Sequence, residues 1–140
     1  MKYLLILTLT FSFMLAQSKY MKIKSNDKII QIKIKEQTSN NFQPFSKESI
    51  NNKKTYVTSQ GHTFNSDSYI LVKFQKDKDV NIEDFEKKYG LKLTKKMKIG
   101  YYIFKPTSQK DILDIINEIL TNEKDIKSIK PNWRYGVKPL

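Results

Sequence analysis

The chain has 140 residues, a formal net charge of +12 and no cysteine. This length allows one domain of ordinary size, or a small domain with an appendage, and excludes a large enzyme. Because cysteine is absent, a disulfide scaffold is excluded and a hydrophobic core must stabilise the folded state.

The first residues have the pattern of a secretory signal peptide. The stretch "MKYLLILTLTFSFMLAQS" has one lysine, then an apolar run from Tyr3 to Ala16, then small or polar residues. The run is short for a membrane span, so we predict a signal peptide over residues 1–17. A retained anchor is the alternative. The prediction implies a secreted or periplasmic protein without a stable membrane anchor.

The positive charge comes almost entirely from lysine, with 25 lysines and one arginine. Arginine is the residue that favours two-pronged recognition of phosphates and bases. We therefore interpret the charge chiefly as a compositional bias and do not expect nucleic acid as a partner. A basic binding module for nucleic acid or for an anionic envelope surface stays open as an alternative.

Residues 18–66 are predicted to form a β-hairpin followed by a polar linker. In "KYMKIKSNDKIIQIKIKE", apolar and polar residues alternate on both sides of the turn at Asn26-Asp27. The stretch that follows is polar and rich in turn residues, with a short strand predicted at Thr55-Tyr56-Val57. A lone hairpin is marginal in water, so we expect this one to lean on another part of the chain.

Residues 67–133 carry a clearer pattern. "YILVKF" predicts a strand, and a helix follows that Asn81 caps and Gly90 ends. "LKLTKKM" and "YYIFK" predict a hairpin around Gly100. A second helix follows, and "IKSI" predicts a last strand.

The second helix has the strongest periodicity in the sequence. Ser108 with Asp111 forms a capping-box pattern. Apolar residues then recur at spacings of three and four and form one stripe: Ile112, Ile115, Ile116, Ile119 and Leu120.

The order of strand, helix, strand, strand, helix, strand predicts a fold of the α+β class, the ferredoxin-like split βαβ fold (βαββαβ). We expect a four-stranded antiparallel sheet with two helices on one face, preceded by the β-hairpin segment. The other face is then free to meet water or a partner. Residues 134–140 are predicted to form an extended C-terminal tail.

No catalytic constellation is visible. The single histidine, His62, lies in the polar stretch "SQGHTF" and is predicted to be an exposed loop residue; one histidine without cysteine makes a metal site improbable. The carboxylates Glu83, Asp84 and Glu86 are explained by helix-dipole and solubility roles. We predict that the protein is not an enzyme and has no cofactor.

Aromatic residues on one predicted strand raise a further alternative. Tyr101, Tyr102 and Phe104 could stack on bases, as RNA-recognition domains do. The stretch "GYYIFKP" does not match the basic-glycine-aromatic motif of those domains. We therefore favour a structural role for these rings.

Two long stretches resemble the propeptide domain of subtilisin-like serine proteases. They are "SYILVKFQKDKDVNIEDFEKKYGLKLTKKMKIGYYIFKP" and "DILDIINEILTNEKDIKSIKPNW", which run from Ser68 to about Trp133. The resemblance implies an intramolecular chaperone that then inhibits the protease. It also implies that the open face of the sheet lies on the protease and that the C-terminal extension lies in the active-site cleft.

The resemblance assigns a set of protease-binding residues: Trp133, Tyr135, Val137, Lys138, Pro139 and Leu140. In the product-like direction, Leu140 would fill the primary specificity pocket and Val137 the pocket four residues before the cut. Nothing in the chain matches the catalytic motifs of the family. We therefore expect either an inhibitor that acts in trans on a subtilisin-like serine protease, or a precursor fragment that belongs to one in cis.

Overall fold

The computed structural model describes residues 19–37 and 53–135. About half of these residues (49%) lie in strands and 19% in helices. The strands are β1 Lys19–Ser25, β2 Lys28–Gln37, β3 Thr55–Thr58, β4 His62–Asn65, β5 Ile70–Phe74, β6 Leu91–Lys96, β7 Tyr101–Pro106, β8 Ile126–Pro131 and β9 Arg134–Tyr135. The helices are α1 Ile82–Tyr89 and α2 Ile112–Asn122.

All nine strands form one antiparallel sheet, in the order β6-β7-β5-β8-β1-β2-β3-β4-β9. The eight longer strands make a curled half-barrel. The predicted fold class, a ferredoxin-like fold with a small four-stranded sheet, is therefore wrong. The elements from β5 to β8 follow one another in the predicted order, but their sheet continues through five further strands.

The predicted fold is wrong because the N-terminal hairpin pairs with the edge of β8 and extends the sheet there. Lys24 of β1 lies opposite Ile129 of β8. At the hairpin turn, the backbone N–H of Asp27 donates to the carbonyl of Lys127 at 2.9 Å, and that of Asn26 to Ser128 Oγ at 3.0 Å. Hydrophobic alternation shows which residues share a face of a strand. It carries no information about which other strand supplies the neighbouring edge.

The hairpin itself is confirmed. Asn26 and Asp27 have φ angles of 46° and 68°, the left-handed conformation that a two-residue hairpin turn requires and that Asn and Asp tolerate best among non-glycine residues. The short strand predicted at Thr55 is also confirmed, as β3. Strand β4 was not predicted, because its residues "HTFN" include a single apolar side chain, that of Phe64, and so show no hydrophobic pattern.

The core is one cluster that lies between the sheet and both helices. Four isoleucines of α2 are fully buried, as predicted: Ile112, Ile115, Ile116 and Ile119. Phe85 of α1 is also buried, and its ring packs against those of Phe74, Tyr89 and Phe104 at centroid distances of 4.9–5.2 Å. Helix α2 contacts β1 as well as β8, so the hairpin covers part of the core.

The cap predicted for α1 is confirmed, whereas the one predicted for α2 is wrong. Asn81 accepts a hydrogen bond from the N–H of Asp84 at 3.3 Å, and Gly90 ends α1 with a φ of 63°, as predicted. In α2 the cap is Asp111, whose carboxylate accepts from the N–H of Leu113 at 2.9 Å. The predicted capping box that begins at Ser108 is therefore wrong.

Asp111 has a second partner that explains its role. The hydroxyl of Tyr56, a fully buried residue of β3, donates to the Asp111 carboxylate. The same side chain thus joins the start of α2 to a strand from the N-terminal part of the chain. Burial, and then this hydrogen bond, raises the pKa of Tyr56 far above its ordinary value of 10.

We expect the raised pKa of Tyr56 to make the folded state less stable at alkaline pH. Below pH 10 the phenol is protonated in both the folded and unfolded states, so its contribution is fully present. Above pH 10 the unfolded chain loses the proton first, and the free energy of unfolding falls by up to about 1.4 kcal/mol per pH unit for this group.

Denaturant unfolding between pH 9 and pH 12 measures this slope, and the Tyr56→Phe variant isolates it from the many lysines that titrate in the same range. The variant should show a shallower alkaline decrease than the parent. The assignment is wrong if both proteins lose stability with the same slope.

Candidate functional site

Two of the predicted protease-binding residues lie at one edge of the sheet: Tyr135 belongs to the edge strand β9, and Trp133 precedes that strand. Two residues, Asn132 and Trp133, separate the end of β8 from the start of β9, and the chain turns there. The N–H of Asn132 donates to the carbonyl of Tyr69 at 2.8 Å, and that of Trp133 to the carbonyl of Pro131 at 3.0 Å. Val137, Lys138, Pro139 and Leu140 lie outside the described residues.

Strand β9 is the last strand of the sheet. Arg134 lies opposite Thr63 and Tyr135 lies opposite His62, both in β4. The order of the strands places no further strand of the described part beyond β9. The chain therefore leaves the described structure from a sheet edge, and such an edge is where a partner strand can add by main-chain hydrogen bonds.

Trp133 is held against the protein. Its ring is half-buried and stacks on the imidazole of His62 with a centroid distance of 4.7 Å and an interplanar angle of 24°. The ammonium of Lys130 lies 5.7 Å from the centre of the same ring. The structure thus brings Trp133 together with a residue that we predicted to be an isolated loop histidine.

The prediction that His62 is an exposed loop residue is wrong. The residue belongs to β4 and is only partly exposed. Sequence reasoning missed the pair because 71 positions separate its members, and only the curl of the sheet brings β4 beside β9. The stacked rings place the beginning of the C-terminal segment in a defined position.

A polar recess of about 420 Å³ lies beside β9. Lys105 of β7 and Arg134 of β9 contribute its positive charges, and Asp67 contributes a carboxylate. That carboxylate forms an ion pair with Lys53 at 2.8 Å. The recess therefore has two basic side chains and one carboxylate that is already paired.

The face of the sheet opposite the helices, which we call the outer face, is basic. Residues directly opposed across an antiparallel pair share a face, so the pairs Leu71–Ile103, Tyr20–Lys33 and Lys35–Val57 define it. Its strand positions include nine basic residues: Lys22, Lys33, Lys35, Lys73, Lys92, Lys95, Lys105, Lys130 and Arg134. The described strands place no acidic residue on it. The folded chain therefore concentrates positive charge on one side.

Residues 19–37 and 53–135 contain no group of three or more histidine, cysteine or acidic side chains that could hold a metal ion. Within the same ranges no helix is long and apolar enough to cross a membrane.

No family model matches this chain, and neither the curated proteins nor the solved structures yield a match. The resemblance to subtilisin propeptides therefore depends on the sequence motifs alone. The other evidence about function comes from the geometry of the site.

Proposed function

We propose that this chain is a secreted binding protein that inhibits a subtilisin-like serine protease through its C-terminal segment. The observation that carries the proposal is the position of β9 at the end of the sheet, one residue before Val137-Lys138-Pro139-Leu140 in the sequence. A segment that continues from an edge strand is suited to strand addition, in which main-chain hydrogen bonds give affinity and alternate side chains give specificity.

The side chains of the segment have separate roles in this proposal. Leu140 fills the primary specificity pocket of the protease, and Val137 fills the apolar pocket three residues earlier. Lys138 points towards solvent between them. This pattern agrees with the resemblance to propeptides, whose C-terminal residues occupy the cleft as a product would.

Trp133 acts as an anchor for the segment. Its ring is already stacked on His62, and the two residues that follow are held against β4 as strand β9. Holding a binding segment in place before association reduces the entropy lost on binding. Tyr135, as part of β9, begins the segment that reaches the protease.

A second candidate function follows from the outer face. Nine basic side chains on one side of the sheet, with no acidic residue among the described strand positions there, suit an anionic partner. An anionic envelope surface or a nucleic acid would be such a partner. Binding of this kind would weaken steeply with salt.

Inhibition of a purified subtilisin, measured with a chromogenic peptide substrate, tests the first candidate. Leu140→Asp places a charge in the primary specificity pocket and should raise the inhibition constant by at least about tenfold, or 1.4 kcal/mol. Lys138→Asp is the matched control, because it introduces the same residue at the position that faces solvent. Equal inhibition constants for the two variants would show that the segment does not occupy the cleft as proposed.

A further inference from the structure

A second recess, of about 430 Å³, lies at one end of strands β5, β6 and β7. The end of β5, the segment that leads into α1, and the turn between β6 and β7 surround it. We call it the lysine recess, because its charged lining residues are Lys73, Lys76, Lys78, Lys96, Lys98 and Asp79. Five lysines and one aspartate give the lining an excess of positive charge.

The lysines of this recess are not neutralised by ion pairs. The described part of the chain has three ion pairs, and they involve Lys53, Lys88 and Lys110. None of these residues lines the recess. Like charges in excess of their counter-charges disfavour the folded state, and an anionic ligand relieves that repulsion when it binds.

The floor of the recess is aromatic and rigid. The rings of Phe74 and Tyr102 meet edge to face at a centroid distance of 5.4 Å, and Phe74 also packs on the buried Phe85. The ammonium of Lys96 lies 5.1 Å from the centre of the Tyr102 ring. This lysine therefore has its charged end directed over the floor.

Gly100 leaves room for a second lysine of the recess. Its φ is 92°, a conformation that disfavours other residues, and a Cβ there would lie 3.4 Å from Cε of Lys73. The ammonium of Lys73 also lies 5.4 Å from the centre of the Tyr101 ring. The open turn therefore lets the Lys73 side chain pass Gly100 with its ammonium beside the Tyr101 ring.

We propose that the lysine recess binds a ligand that carries several phosphate groups. Lysine is a compact point charge that binds phosphate oxygens without the planar fork geometry of arginine. Five lysines exceed what one carboxylate or a single phosphate needs, whereas a short polyphosphate chain can contact several of them at once. A volume of about 430 Å³ falls in the range of small-molecule sites, about 300–1,000 Å³.

Isothermal titration calorimetry with inorganic triphosphate tests this site on the mature chain, at an ionic strength of about 0.15 M, where exposed charges are screened. We expect saturable binding of one triphosphate per chain. The variant Lys96→Gln/Lys98→Gln should weaken binding at least about tenfold. A melting curve for each variant establishes that it remains folded.

The matched control is Lys92→Gln/Lys95→Gln. Lys92 and Lys95 are exposed residues of the same strand, lie on the outer face and do not line the recess, so this variant loses the same charge. It should bind triphosphate nearly as well as the parent. Equal weakening by both double variants would show that triphosphate responds only to the overall positive field, and absence of binding to the parent would also overturn the proposal.

The lysine recess and the proposed protease inhibition depend on different residues, since neither Trp133 nor Arg134 lines the recess. Leu140→Asp should leave the affinity for triphosphate unchanged. Lys96→Gln/Lys98→Gln should leave the inhibition constant for subtilisin unchanged. The two proposals can therefore fail separately.

Discussion

A chain that begins at Asp67 is expected to lose cooperative unfolding, although it contains both helices and the four strands β5 to β8. Six of the buried hydrophobic residues precede Asp67: Met21, Ile23, Ile32, Ile34, Tyr56 and Phe64. Burial of one such side chain stabilises the folded state by about 1.5–3 kcal/mol. Six of them contribute about as much as the whole net stability of a typical domain, about 5–15 kcal/mol.

Thermal unfolding of this fragment, followed by circular dichroism, should therefore give a broad, non-cooperative curve. The control is a chain from Ser18 to Leu140, which retains β1 to β4 and should unfold in one transition. A fragment that melts as sharply as the control, at the same temperature, would show that the four strands β5 to β8 and the two helices fold without the N-terminal hairpin.

Replacement of Ile116 by alanine should lower the free energy of unfolding by about 2–5 kcal/mol. Ile116 lies in the buried stripe of α2 and has no exposed surface. The substitution removes three carbon atoms from a packed site that can only partly collapse. Denaturant titration measures the loss as a decrease in the midpoint at constant slope.

Ile99→Ala is the matched control for this substitution. It removes the same atoms from a side chain that is 63% exposed, and surface changes usually stay within about 0.5 kcal/mol. Similar losses for the two variants would contradict the placement of α2 in the core.

Local features were predictable from the sequence because neighbouring residues determine them. The turn at Asn26-Asp27, the cap at Asn81 and the end of α1 at Gly90 each depend on the conformational preferences of one or two residues. The buried stripe of α2 depends on a spacing within eleven residues. These predictions needed no knowledge of which strands lie side by side.

The predictions that failed depend on contacts between distant parts of the chain. Both Ser108 and Asp111 are suitable helix caps, and the hydrogen bond from Tyr56 to Asp111 is a contact that the local pattern cannot show. The ferredoxin-like fold failed because the pattern of "IKSIKP" does not reveal that the outer edge of β8 pairs with the hairpin. The pairing of β1 with β8 therefore extends the predicted four-stranded sheet to nine strands.

The candidate sites were predictable to different extents. The C-terminal segment was visible in the sequence because its residues are consecutive. The stack of His62 on Trp133 and the lysine recess were not visible, because each combines residues from separate elements. In a chain with 25 lysines, composition alone could not indicate which of them line a common recess.

The most direct test of protease inhibition compares the mature chain with a version that ends at Tyr135. Both are assayed as inhibitors of a purified subtilisin, with melting curves to establish that both are folded. The account predicts that removal of residues 136–140 raises the inhibition constant by at least about tenfold. Equal inhibition by the two proteins, or no inhibition by the mature chain, would contradict it.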